Sequence, residues 1–272
     1  MVRSMTVTAL GADESVGTLV KRWRERRRRS QLDVSLAAEM SARHLSYIET
    51  NRSKPSREMI ERICDELDVP LRERNRFHLA AGFAPVHRER PFADLGAAHE
   101  AVQAVLRGME PHPAVAVNAS WDLLAANDAM GGFLGDLPAE LAGPPLNMLR
   151  ATLHPDGLAP RVINLAQWRA HTLRRVRRQL DRTAADGLAE LLVELEGYGV
   201  PASSATVFDP AESDLVVPLR MTTPYGELAF LYTATVFGSP RDVTLDEIAI
   251  EAFFPADAVT AHALRTVADA RT

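Results

Sequence analysis

The sequence predicts two domains: an all-α five-helix module of the helix-turn-helix kind, followed by an α+β domain with an antiparallel sheet. Three observations carry this prediction. Between residues 15 and 84, apolar residues recur at helical spacing in five short runs separated by polar, Gly or Pro breaks. Beyond residue 110, short apolar or alternating runs bounded by turn residues appear among the helical patterns, as strands require. The charge also changes sign: residues 1–90 hold 18 Lys+Arg against 13 Asp+Glu, a net of +5, whereas residues 91–272 hold 13 against 23, a net of −10. A basic first third on an acidic remainder fits a DNA-binding module carried by a domain with another task. At 272 residues the chain is long enough for two cores.

Residues 1–14 lack periodicity and read as a disordered leader. Ser15 is a helix cap, after which Val16, Leu19, Val20 and Trp23 fall on one face. The other faces carry Lys21, Arg22, Arg24 and the run Arg26 to Arg29, a solvated charged surface from which some side chains can touch phosphates. The stretch QLDVSLAAEMSARHLSYIE, residues 31–49, reads as two short helices around a tight turn. Val34, Ala38, Met40, Leu45 and Ile48 give them a shared apolar core, and Ser41 caps the second.

That arrangement leaves Ala42, Arg43, His44, Ser46 and Tyr47 on or near the outer face of the second helix, where they can reach base edges in a major groove. Arg43 leads, because its planar fork can read guanine O6 and N7 together, and Tyr47 suits a thymine methyl or a phosphate. Ala42 contributes by being small. Gln31, Ser41, Asn51, Arg52 and Lys54 are candidates for the DNA backbone, and Glu49 is expected to tie the recognition helix to its neighbours. Pro55 and Ser56 open a fourth helix through Met59, Ile60, Ile63 and Leu67, and a fifth closes at Gly82. The single cysteine, Cys64, excludes an internal disulfide and reads as a buried core thiol.

Residues 85–95, rich in Pro and charge, read as a linker, and residues 96–272 as the second domain. A helix from about 97 to 107 is stopped by Gly108 and two prolines. AVAV and WDLLAAN then form strands, and Asn127 caps a helix toward Leu134. HPDGLAPRV is a turn feeding a helix from about 160 to 181, with another from about 185 to 197. Strands from 215 to 221 and 228 to 236 flank the turn Thr223-Pro224-Tyr225-Gly226, and IAIEAFF precedes a terminal helix through Leu264.

A pocket there would be apolar with a few polar groups. Trp121, Phe133, Trp168, Tyr232 and Phe254 are its candidate aromatics, with His171 and Arg220 as partners for a ligand carboxylate, although core packing accounts more simply for the aromatics and an ordinary polar role for the other two. No Gly-rich phosphate loop, GxSxG or HExxH occurs, the eight histidines lack metal-ligand spacing, and His154-Pro155-Asp156-Gly157 reads as a turn, so neither catalysis nor a cofactor nor a metal is expected. No apolar run approaches the ~20 residues that span a bilayer, and the first residues lack a signal-peptide core, so a cytoplasmic protein is expected.

The run from Gln31 through Ser41, Leu45-Ser46 and Ile48-Glu49 to Asn51-Arg52-Ser53 and Pro55-Ser56 resembles the helix-turn-helix of phage-repressor, xenobiotic-response-element-type regulators. Two positions depart from it: Glu39 where that family commonly has Gly in the turn, and Ser35 in place of a small Ala. More of the chain is similar to the MmyB-like regulators of actinobacteria and their relatives: SARHLSYIETNRSKPSREM, VPLRERN, LAAGFAP, WDLLAAN, HPDGLAPRV, FGSPRDVTL and IEAFFPAD match in order. The resemblance implies a PAS-like second domain that binds a small, apolar, fatty-acid-like ligand. Because one helix-turn-helix covers a half-site, a homodimer on a palindromic double-stranded operator is expected. Two alternatives stay open: a second domain that binds RNA polymerase or another regulator and no small molecule, and an enzyme with a DNA-binding head.

Overall fold

A computed structural model describes residues 14–199, 216–238 and 240–270. The leader expected over residues 1–14 lies outside these except for Glu14, as does Leu215 of the expected strand. The chain forms two compact units, one of residues up to 89 together with Arg241–Val243, the other of the remainder.

The first unit is five helices: α1 (Val16–Arg26), α2 (Gln31–Ala37), α3 (Ala42–Glu49), α4 (Arg57–Glu66) and α5 (Leu71–Ala80). Local chemistry sets their ends. Ser15, Ser30, Ser41 and Ser56 each cap a helix by accepting the backbone N–H three residues on, worth about 1 kcal/mol apiece. At the other end each helix is followed by a left-handed residue: Arg28, Glu39, Asn51, Asp68 and Gly82. Glu39 has φ +54°, so it adopts the conformation a glycine would take there, at a cost of roughly 1–2 kcal/mol. The turn keeps its closing bond, Met40 N–H to Ser35 carbonyl at 2.8 Å. Trp23, Leu45, Ile48, Ile60, Ile63, Leu67 and Phe77 fill the core, and Cys64 is wholly buried beside them, its thiol pKa pushed far up by desolvation.

One glycine is a close-packing device. A Cβ on Gly17 of α1 would lie 2.2 Å from the Ile48 carbonyl oxygen and 2.7 Å from Asn51 Oδ1, so the C-terminal end of α3 can rest on α1 only because no side chain is there.

Beyond the five helices the chain runs α6 (Ala97–Gly108), β1 (Ala114–Val117), β2 (Leu123–Ala126), α7 (Asp128–Leu134), α8 (Ala139–Ala142), α9 (Met148–Leu153), α10 (Leu165–Thr183), α11 (Leu188–Gly197), β3 (Leu219–Thr223), β4 (Gly226–Val236), α12 (Val243–Asp246), β5 (Ala249–Pro255) and α13 (Ala258–Asp269), all in the second unit except Val243. The strands form one antiparallel sheet in the order β2-β1-β5-β4-β3. Strand parity assigns the two faces. Val115, Val117, Phe230 and Phe253 face the larger core with α9, α10 and α11, while Ala114, Ala116, Ile250, Ala252 and Phe254 face α6.

Several boundaries differ from the sequence expectation. The strand placed at 215–221 begins only at Leu219, residues 216–218 lying outside it and Pro218 having no N–H to give a ladder. The helix placed at 160–181 starts at Leu165, because Ala159–Arg161 is a 3-10 turn and the Asn164 side chain is committed to β3, donating to the Pro218 carbonyl at 2.8 Å and accepting from Arg220 N–H at 3.0 Å. The next helix waits for Leu188 because Ala184 and Gly187 are both left-handed. The short helices α8 and α9 lie in a stretch read as loop and turn, α9 capped by Asn147.

Candidate DNA-reading helix and ligand cavity

The helix α3, expected from the sequence to read DNA, is presented on a polar lock. Glu49, buried at its C-terminal end, receives Arg24 Nε at 2.6 Å and Nη2 at 3.0 Å, and Gln31 Nε2 at 2.8 Å. One carboxylate thus joins α1, α2 and α3 by a planar fork and an amide, the kind of charge-assisted pairing that fixes orientation. Leu45 and Ile48 turn inward, which leaves Arg43 exposed and Ala42, His44, Ser46 and Tyr47 partly so.

Each predicted DNA residue has a definite place. Arg43 Nε donates to the Tyr47 hydroxyl at 2.8 Å with its guanidinium 5.3 Å from the Tyr47 ring centroid, so the pair stands as one unit on the outer face. The Ser41 hydroxyl is occupied as the cap on His44 N–H. His44 Nε2 lies 3.3 Å from Ser53 Oγ and bridges α3 to the following loop. Gln31 is turned to Glu49, and the Asn51 amide oxygen lies against Gly17. Arg52 and Lys54 project from the loop into solvent.

Much of the arginine-rich surface of α1 is spent internally. Arg22 pairs with Glu14 and with the buried Glu73, and Arg27 donates to the Leu67 and Asp68 carbonyls at 2.7 and 2.6 Å while covering the Trp23 ring at 5.0 Å. Arg22, Arg24 and Arg27 therefore brace the module, a use that periodicity alone does not distinguish from a solvated face.

In the second unit a cavity of about 460 Å³ opens between α7, the β3–β4 turn and α13. Ala129, Leu228 and Leu264 form a buried floor with Phe133 and Val267 beside it, whereas Glu110, Asp128 and Tyr225 are exposed. Arg161 also reaches it. Behind Phe133 lies a second, almost wholly apolar space of about 40 Å³ among Met130, Met148, Met221, Phe230 and Phe253.

Of the seven predicted ligand residues, Phe133 alone lines the described cavities. Trp121, Trp168, His171 and Tyr232 are brought together elsewhere on the same sheet face. Trp168 stacks on His171 at 5.8 Å, His171 Nε2 lies 3.2 Å from the Tyr232 hydroxyl, and Trp121 Nε1 donates to Gln179 at 2.8 Å. Burial first, then Arg175, Arg174 and Arg178, hold the His171 pKa below its ordinary value. Phe254 packs on His112 at 4.9 Å on the opposite face of the sheet, and Arg220 points outward to Glu227 at 3.5 Å.

Sequence reading missed the centre of this cluster. Arg175 lies over the rings of Trp121 at 4.1 Å and Tyr232 at 4.7 Å and makes a short ion pair with Glu251, which is buried in β5. Two signals pointed there: Trp168, His171, Arg175 and Gln179 share one helical row, and Glu251 is the lone charge inside IAIEAFF. The cavity's Glu110, Asp128, Arg161 and Tyr225 come from separate turns and helix ends and carry no common pattern.

Comparison with known proteins bears on both units. Residues 15–77 match a helix-turn-helix domain family, and residues 98–267 match the MmyB-like transcription regulator ligand binding domain. No curated protein sequence matches the chain. Among solved structures, a likeness is found to an RNA-binding Light-Oxygen-Voltage receptor at 11% identity and a TM-score of 0.28, covering 93% of this chain and 64% of that one. No helix among the described residues is long and apolar enough to cross a membrane. Since the ligand-binding family spans more than half of the chain behind a helix-turn-helix, the protein belongs to the MmyB-like transcription regulators.

Proposed function

We propose that the protein reads a specific, palindromic operator as a homodimer, and that a small ligand with a fatty-acid-like apolar chain, held in the 460 Å³ cavity, alters its affinity for DNA. The observation that carries the first half is the exposed Arg43–Tyr47 pair on a helix whose position is locked by Glu49, Arg24 and Gln31. A base reader needs both features: a planar donor fork aimed outward, and a scaffold that does not let it drift. Ala42 and Ser46 allow close approach, and Arg52 and Lys54 supply phosphate contacts that add affinity without sequence choice. Ligand and operator are then coupled through one free energy, so each changes the affinity for the other by the same factor.

Substitution separates the two kinds of contact. Arg43→Ala should cost ~1–3 kcal/mol on operator DNA and relax preference at one base position, whereas Lys54→Ala should weaken all sequences alike and lower the salt slope by about one. Binding measured on selected operator and on random duplex across a salt series decides it. Equal losses on both duplexes for both variants would remove α3 as the reader.

A further inference from the structure

The two cavities of the second unit meet at one side chain. Among the described residues Phe133 alone lines both the 460 Å³ cavity and the 40 Å³ space behind it. Its ring meets Phe230, which lines the inner space, edge-on at 5.8 Å. The inner space is built for hydrocarbon. The hydroxyl of Thr152 in its wall already donates to the Met148 carbonyl at 2.7 Å, and the other lining side chains described there are apolar. A space of that volume has room for about three groups the size of a water molecule, and an apolar one stays dry and accepts apolar ligands. Met130, Met148 and Met221 stand in its wall, and unbranched thioether side chains re-pack around an incoming chain more readily than branched ones. Phe133, partly exposed, is carried by a helix that holds it lightly. Gly131 and Gly132 come directly before it in α7, and glycine is the weakest helix former after proline. Close packing does not demand the first of these glycines, since a Cβ on Gly131 would meet no atom within 4 Å.

We infer that Phe133 is a gate between the two spaces and that the inner one takes the far end of the ligand's apolar chain, which sets the chain length the protein prefers; this deepens, and rests on, the ligand-binding reading above. Rotation of the ring away from Phe230 joins the spaces, and about three carbons of the chain take its place against Phe230, Met148 and Met221. A shorter chain ends in the outer cavity, on Leu228 and Leu264, and leaves the ring where it is. Opening the gate is a fixed cost met once, whereas each methylene that passes behind it leaves water completely and adds about fourfold in affinity.

The test is calorimetric titration of the full-length protein with octanoate, decanoate and dodecanoate, each below the concentration at which it forms micelles. Phe133→Ala removes the gate and should raise the ratio of dodecanoate to octanoate affinity at least about threefold over the wild type, because the fixed cost disappears only for a chain long enough to pass. Leu134 is partly exposed and lines the inner space but not the outer one. Leu134→Trp fills that space and should lower the ratio about tenfold while octanoate binding is unchanged. Thr152→Phe fills it from α9 and should do the same, so that the outcome does not hang on the folding of one variant. A ratio that stays at its wild-type value in Phe133→Ala or in the two filling variants, including through equal losses for short and long chains, would overturn the gate and leave the cavity reading standing. If none of the three probes binds the wild-type protein, the cavity reading and the gate fall together.

Discussion

The two units each bury a carboxylate against an arginine, and they treat it differently. Glu49 is saturated: two bonds from Arg24 and one from Gln31 draw three helices onto one side chain. Glu251 has one described donor, Arg175, whose remaining surroundings are the Trp121 and Tyr232 rings, and desolvation pushes the Glu251 pKa upward in spite of that cation. A buried charge is worth having only when its partners offset the loss of water. By that measure Glu49 is a structural rivet under α3, the proposed reading helix, whereas Glu251 is held at a cost in the unit that matches the ligand-binding domain family. The lesson is that a site which must not move is given every donor it can use.

Removal of charge at constant shape breaks the comparison most directly. Glu49→Gln should cost about 3–5 kcal/mol in denaturant unfolding and abolish operator binding, because Arg24, largely shielded from water, loses its nearest counter-charge. Gly17→Ala should cost about 1–3 kcal/mol, since the new methyl meets the Ile48 carbonyl, and should weaken operator binding through a displaced α3. Glu251→Gln should cost about 1 kcal/mol or less, because the charge it removes is already penalised. Equal losses for the two Glu→Gln variants would erase the distinction drawn here.

The smallest effect is a pH dependence. Its direction follows from His171, whose folded pKa lies below its ordinary 6.5, chiefly from burial and then from Arg175, Arg174 and Arg178. The unfolded chain takes up this proton first, so the stability His171 contributes is complete above 6.5 and is lost as pH falls below it. The imidazole also faces Tyr232 and Trp168. Thermal midpoints of the wild type should drop more than those of His171→Gln on going from about pH 7 to about pH 5.

What the sequence disclosed follows the same division. The head was legible because its instructions are local: a serine before four of five helices, and a break after every one. Even the misfit at Glu39 is resolved locally, by a left-handed residue in a turn that still closes. Gly17 and the inward arginines were not legible, because which member of a periodic charged run curls back depends on Glu49, Glu73 and the Leu67 carbonyl elsewhere in the fold.

In the second domain the strands could be read, but the assignment of residues to faces needed register. Phe253 and Phe254 are neighbours of the same type, and only strand parity places one in each core. The same parity sets Arg220 outward between buried Leu219 and Met221. Asn164 shows how a helix boundary escapes pattern reading, since a polar side chain bonded to β3 overrides an apolar period.

Cavity and α3 are proposed to share one free energy, and operator affinity measured by fluorescence anisotropy against increasing concentration of decanoate, a ten-carbon fatty-acid probe, tests this most directly. The account predicts a change in affinity of at least about fivefold at saturation, matched by the same factor in probe affinity when operator is present. An operator affinity that stays constant through saturation of the cavity would contradict it.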